Sequence, residues 1–213
     1  MLKPFTLAGG FVRLEPLTLD HADALARAGN VSRETYQYTI VPGDYESAVA
    51  FVNTALGEAE ASRSVPFATV DRRSDSIVGS TRFCYIEFWD WPDGSPYQRG
   101  MDLPDAVEIG YTWLSADVQR TGINTEAKLL MLTHAFESWK VHRVRLKTDA
   151  RNQRSRQAIE RLGMRFDGVL RRTRIAYDDE IRDDAFYSML DSEWPEAKEA
   201  LTARLRHQVR SDC

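Results

Sequence analysis

"VQRTGINTEAK", residues 118–128, sets one glycine in a crowded polar turn between a strand-like run and a helix-like one. The run before it, "AVEIGYTWL" (106–114), is rich in β-branched and aromatic residues. The run after it extends to about Trp139 and carries Leu129, Leu132, Phe136 and Trp139 as an apolar stripe. A strand, a tight glycine turn and a helix in that order make an anion site. The first-turn N–H groups have no acceptor within the helix, and the helix dipole adds partial positive charge there. A phosphate is the natural guest. The turn contains neither GxGxxG nor GxxxxGK[ST], which excludes a Rossmann fingerprint and a Walker loop. Taken alone, it also fits an ordinary strand-to-helix connection.

Working outward, "FVRLEPL" (11–17) reads as an opening strand, and a helix begins near Asp20 with His21, Ala22, Leu25 and Ala28. A second helix spans roughly Tyr45 to Ala61. "VPFATVDR" and "SIVGSTRFCYIEFW" pair as a hairpin across "RRSDS". Residues 90–104 concentrate Pro, Gly and Asp and form a long loop. Beyond the central helix come a strand at 142–149 and a helix from about Asn152 with Gly163 as its C-terminal cap. "FDGVLRRTRIAY" and "DAFYSML" are two closing strands joined by the acidic turn Asp178, Asp179 and Glu180. The last helix covers about 193–207, with Trp194, Ala197, Leu201 and Leu205 on its buried side and a frayed tail after it. The pattern is α/β within a single domain, 1–213.

Composition narrows the partners. Thirty-two acids against 28 bases give a formal charge of −4 over 213 residues, which speaks against nucleic acid or anionic membrane and suits a cationic substrate. Cys84 and Cys213 lack metal-ligand or CxxC spacing, and the four histidines are scattered, so no metal site is expected. No leader pattern and no apolar run long enough to span a bilayer stand out, and a reduced, cytoplasmic setting is expected.

Gln119, Gly122 and Asn124 align with Gln/Arg-x-x-Gly-x-Gly/Ala, and the turn resembles the pyrophosphate-binding turn of the GNAT acetyltransferase superfamily. Asn124 departs from the small residue usual at the last position, although "GINTEAK" is similar to a variant in the RimJ/RimL-like branch. Asn152, Ser155, Leu162, Gly163 and Met164 resemble that family's second signature, and "VEIGYTWL" its central strand; the likeness covers roughly residues 10–190. It implies a mixed sheet with a splayed parallel strand pair, flanked by helices. Acetyl-CoA would be the cosubstrate, its pyrophosphate on the backbone amides of Arg120, Thr121, Gly122, Ile123, Asn124 and Thr125. Its pantetheine arm would run along Trp113 and Leu114 as an added strand does, with Asn152 bonding a pantetheine amide. Trp113 and Leu114 also fit the core, and Asn152 also fits an N-cap.

The reaction so implied moves an acetyl group directly to an amine. An amine attacks when neutral: an α-amine of pKa ~8 costs about 1.4 kcal/mol to deprotonate at pH 7, a lysine of pKa ~10.4 about 4.6 kcal/mol. Glu108, on the strand leading to the turn, is the candidate base, with a structural carboxylate as the competing reading. Strict alternation puts it on one face with Gly110 and Thr112, opposite Ile109 and Tyr111. The leaving thiolate needs a donor. Where many family members carry a tyrosine seven residues after the motif asparagine, this chain has Ile159. Ser155, one turn earlier, takes that role by resemblance to RimL-like relatives, with helix packing as its alternative. The acceptor is a primary amine, on a peptide or protein N-terminus or on a small molecule. A non-catalytic acyl-CoA-binding or sensor protein is the rival reading. "FWDW" (88–91) serves an acceptor wall, a packed strand end or a homodimer interface. The basic run 161–174 reads as a solvated strand face, with an arginine near the CoA 3′-phosphate.

Overall fold

Period-two runs and apolar helical stripes fold as one sheet with helices on both faces. The computed structural model describes residues 2–100, 102–176 and 178–211; Cys213, expected to fray, lies outside them, as does Tyr177 of the closing strands. The elements are β1 (Leu7–Ala8), β2 (Val12–Pro16), α1 (Ala22–Gly29), α2 (Tyr45–Glu60), β3 (Ser64–Asp71), β4 (Ser76–Glu87) and β5 (Ala106–Leu114). They continue with α3 (Gly122–Thr133), β6 (Arg143–Asp149), α4 (Gln153–Glu160), β7 (Arg165–Ile175), β8 (Ile181–Leu190) and α5 (Trp194–Ser211). The eight strands stand in the order β1-β2-β3-β4-β5-β6-β8-β7. β5 and β6 run parallel.

Two apolar clusters sandwich the sheet. Ile109, Met131, Leu132, Val144 and Leu201 pack between the sheet and the α3 and α5 side. Leu25, Val52, Ala68 and Trp113 belong to the cluster built with α1 and α2. Glu126 fixes α3 to the N-terminal turn: its carboxylate accepts from the amides of Gly10, Phe11 and Val12 at 2.8, 2.6 and 2.8 Å. Hydrogen bonds to a charged group contribute about 1.5–3 kcal/mol each. A Cβ at Gly9 would collide with that carboxylate, which accounts for the glycine.

Two expectations change. The central helix does not run uniformly to Trp139; α3 ends at Thr133 and widens into a π turn, His134–Ser138, whose closing bond joins the Trp139 amide to the His134 carbonyl at 3.0 Å. The alternation along β5 also breaks. Arg82 pairs with Gly110 and Ser80 with Trp113, so Tyr111 and Thr112 together oppose Thr81. Tyr111 takes φ +52°, the left-handed region. Glu108 therefore shares its face with Gly110 and Tyr111, and Thr112 turns to the α3 side. A second bulge in β4 places Tyr85 at φ +46° between the Cys84–Glu108 and Glu87–Ala106 pairs.

Candidate active site

Parallel pairing between β5 and β6 stops early. Ala106, Val107 and Glu108 pair with Arg143, Val144 and Arg145; beyond them β5 continues to Leu114 and β6 to Asp149 without a ladder. The result is a slot between two strands with unpaired backbone groups along its edges, which an extended amide-bearing arm can fill as a strand would. On its side of the sheet Trp113 is buried among α1 and α2, 6.3 Å from the Tyr36 ring and 6.4 Å from that of Phe51. The Leu114 carbonyl is saturated, accepting from the Tyr36 hydroxyl and the Gln119 side-chain amide, both at 2.9 Å. Leu114 can thus border the slot but has no carbonyl lone pair to spare for a guest.

The opening turn leads from the end of β5 into α3. Arg120 sits at φ +66°, a conformation that costs energy in a non-glycine residue and here turns the chain sharply into the helix. Thr121 is the N-cap; its hydroxyl donates to the Val118 carbonyl at 2.7 Å and accepts from the Ile123 amide at 3.4 Å. Among the described residues the amides of Arg120, Thr121, Gly122 and Asn124 have no acceptor in the chain. That cluster of open donors fits an anion such as a pyrophosphate. Ile123 is buried in the core, while Asn124 and Thr125 are half-buried, so the bulky Asn124 is accommodated. Gln119 braces the turn: it donates to Leu114 and accepts from Arg154 at the start of α4.

Asn152 is the N-cap of α4, its side-chain oxygen accepting from the Ser155 amide at 3.0 Å. Both of its readings stay compatible, because capping leaves its amide NH2 available. Ser155 is half-buried, and its hydroxyl has no partner among the described residues; Ile159, one turn on, is buried in the core.

Glu108 occupies the last paired position before the slot opens. It is 2% exposed. One carboxylate oxygen, Oε2, lies 2.9 Å from Arg145 Nε and 3.4 Å from Lys147 Nζ; the other, Oε1, faces the Cys84 thiol at 3.8 Å. Burial raises the Glu108 pKa above the ordinary glutamate value, and Lys147 and Arg145 oppose that rise. Around it stand the two bulged tyrosines. Lys147 lies 4.0 Å from the Tyr85 ring centre, and the Tyr111 ring stacks on the buried Arg82 at 3.8 Å. Arg82 also bonds Glu58 at 2.8 Å. Beside this group, an open cleft of about 640 Å³ includes Arg143, Arg145, Phe186 and Ser188 in its lining.

Sequence reasoning missed Glu58, Arg82, Lys147 and the tyrosine bulges, which come from four separate elements. The "FWDW" segment fastens the long loop: the Trp89 ring stacks on His142 at 5.5 Å, and Trp91 Nε1 donates to Asp105 at 2.7 Å. The basic run on β7 is largely exposed, as a solvated strand face. Among the described residues no cluster of His, Cys, Asp or Glu is arranged to hold a metal, and no helix is long and apolar enough to cross a membrane.

A splayed parallel strand pair with an open amide turn at its mouth is the architecture of an acetyltransferase fold. The chain belongs to the GNAT acetyltransferase domain family, whose model matches residues 12–165, and it is an N-acetyltransferase of that family. It is 26% identical over 149 residues to the uncharacterized N-acetyltransferase YnaD of Bacillus subtilis (strain 168), covering 70% of this chain and 75% of that one. The crystal structure of a GCN5-related N-acetyltransferase from Brucella melitensis superposes with TM-score 0.79 at 28% identity, over 96% of this chain and 86% of the other. Mycobacterium smegmatis RimJ, solved in complex with CoA-disulfide, shares the fold with TM-score 0.76 at 22% identity over 94% and 95% of the two chains.

Proposed function

We propose that the chain acts as a single-domain transferase that moves the acetyl group of acetyl-CoA to a primary amine, on a peptide or protein N-terminus or on a small molecule. The observation that carries the donor is the set of open amides of Arg120, Thr121, Gly122 and Asn124 at the mouth of the β5–β6 slot. That the RimJ structure is a CoA complex supports the same donor. Acetyl-CoA supplies a thioester carbonyl. The neutral amine attacks that carbon, the carbon–sulfur bond breaks, and the amine proton is lost to a base. Glu108 is that base in this reading, acting through Oε1, because Oε2 is committed to Arg145 and Lys147. Ser155 donates a hydrogen bond to the leaving sulfur, and Asn152 donates its NH2 to a pantetheine carbonyl. Acetyl-CoA turnover against a panel of N-terminal peptides, amino-acid amides and small amines, read as free CoA release, tests the reading. Turnover with any of these acceptors above the hydrolysis background is expected. CoA binding without acetyl transfer to any of them would overturn it.

A further inference from the structure

Lys128 is an amine inside the core. It is 3% exposed on the sheet-facing side of α3, and its Nζ lies 2.5 Å from the Thr112 hydroxyl and 3.1 Å from that of Thr81. The two hydroxyls are 2.8 Å apart, closing a triangle. Among the described residues no carboxylate pairs with the amine. Glu126, on the same helix, is spent on the Gly10–Val12 amides, and the ionisable group that acts on Lys128 is the buried Cys84 thiol. A neutral amine has two N–H groups, matching the two threonine oxygens; an ammonium has a third, left in the core without an acceptor. Thr112 is half of the β5 bulge, whose other half, Tyr111, is pinned on the opposite face by Arg82.

We propose that Lys128 is a positioning residue that, as a neutral amine, holds the β5 bulge in the shape that lines the donor slot, and that its protonation releases the hold. This inference rests on the donor reading given above. Burial lowers the Lys128 pKa to about 7, so the hold weakens as pH falls through neutrality.

Two readouts test it: amide hydrogen exchange of residues 111–114, corrected for intrinsic rates, and the KM for acetyl-CoA, each from pH 8 to pH 6. In the unaltered protein, protection should fall and KM should rise about tenfold over that range, since only the neutral fraction is competent. Lys128→Met keeps the bulk and removes the proton, so both readouts should lose that pH dependence; titration of the CoA phosphates appears equally in both proteins and cancels. Thr112→Val should raise KM already at pH 8, kcat moving less, and Thr112→Ser should restore it. Lys128→Met retaining the original pH dependence would overturn the proposal. Should that variant not fold, Thr112→Val matching the unaltered protein in both readouts would overturn it equally. Exchange is read without donor, so a failure of the donor reading, seen as no acetyl-CoA binding at any pH, stays distinguishable.

Discussion

The end of β5 and the middle of β5 are built on opposite principles. At its end, backbone amides of Arg120, Thr121, Gly122 and Asn124 point into a turn with no acceptor of their own. In its middle, Glu108 and Arg82 are buried charges with opposite charges beside them: Glu108 with Arg145 and Lys147, Arg82 with Glu58. Open donors prepare a place for an anion that arrives from outside, and they cost little because solvent satisfies them meanwhile. Paired charges hold a fixed electrostatic setting and would cost several kcal/mol if one partner were removed. The proposed function assigns binding to the first region and chemistry to the second, and substitutions in them should affect different constants.

Glu108→Gln should give the largest effect. It keeps size and removes basicity, and kcat should fall by the ~10²–10⁴ typical of a general base while CoA affinity changes little. The pH profile sharpens this. Burial raises the Glu108 pKa, so activity should fall with acidification through a value above the ordinary glutamate range, and that limb should be missing in the variant. Turnover near that of the unaltered protein from pH 6 to 9 would make the carboxylate purely structural. Gly122→Glu works on the other region by adding a negative charge among the open amides. CoA affinity should drop by roughly 100-fold or more, about 2.7 kcal/mol, with the fold intact by circular dichroism. Unchanged CoA binding by calorimetry in the folded variant would remove the anion site from the end of β5.

The same contrast explains what could be read in advance. The donor end is local in sequence: residues 106–114 form β5 with the boundaries expected, and the glycine turn follows within a few residues. Asn152 also landed at an N-cap. The middle of β5 is not local. Its partners come from α2, β4 and β6, and its geometry depends on bulges at Tyr85 and Tyr111, residues with no intrinsic preference for positive φ. Strict alternation therefore put Thr112 beside Glu108 when it faces Lys128 instead. Lys128 itself gave no signal, because a lysine in a helix reads as solvent-facing until tertiary packing says otherwise.

A smaller effect is expected where the two regions meet. Ile159 cannot donate a proton, so in the proposed mechanism the Ser155 hydroxyl or a water stabilises the leaving thiolate. Ser155→Ala should slow single-turnover acetyl transfer by about 10- to 150-fold, the worth of one hydrogen bond to a charged group at about 1.5–3 kcal/mol, with CoA affinity nearly unchanged. Ser155→Cys should recover part of the loss. A full single-turnover rate in the alanine variant would assign the serine to packing.

Asn152 gives the smallest effect and separates its two roles. As N-cap it satisfies the Ser155 amide through Oδ1, and Asn152→Ala should cost about 1 kcal/mol of stability, seen in chemical denaturation. In the proposed donor role its NH2 bonds the pantetheine, worth about 0.5–1.5 kcal/mol, so the same variant should bind CoA roughly 2- to 12-fold more weakly. Asn152→Asp splits the two, since a carboxylate still caps the helix but has no N–H to give. Its stability should match that of the unaltered protein while its CoA affinity falls at least as far as in the alanine variant. If the aspartate variant binds CoA as tightly as the unaltered chain, Asn152 is a cap and nothing more, and the start of α4 contributes only shape to the donor slot.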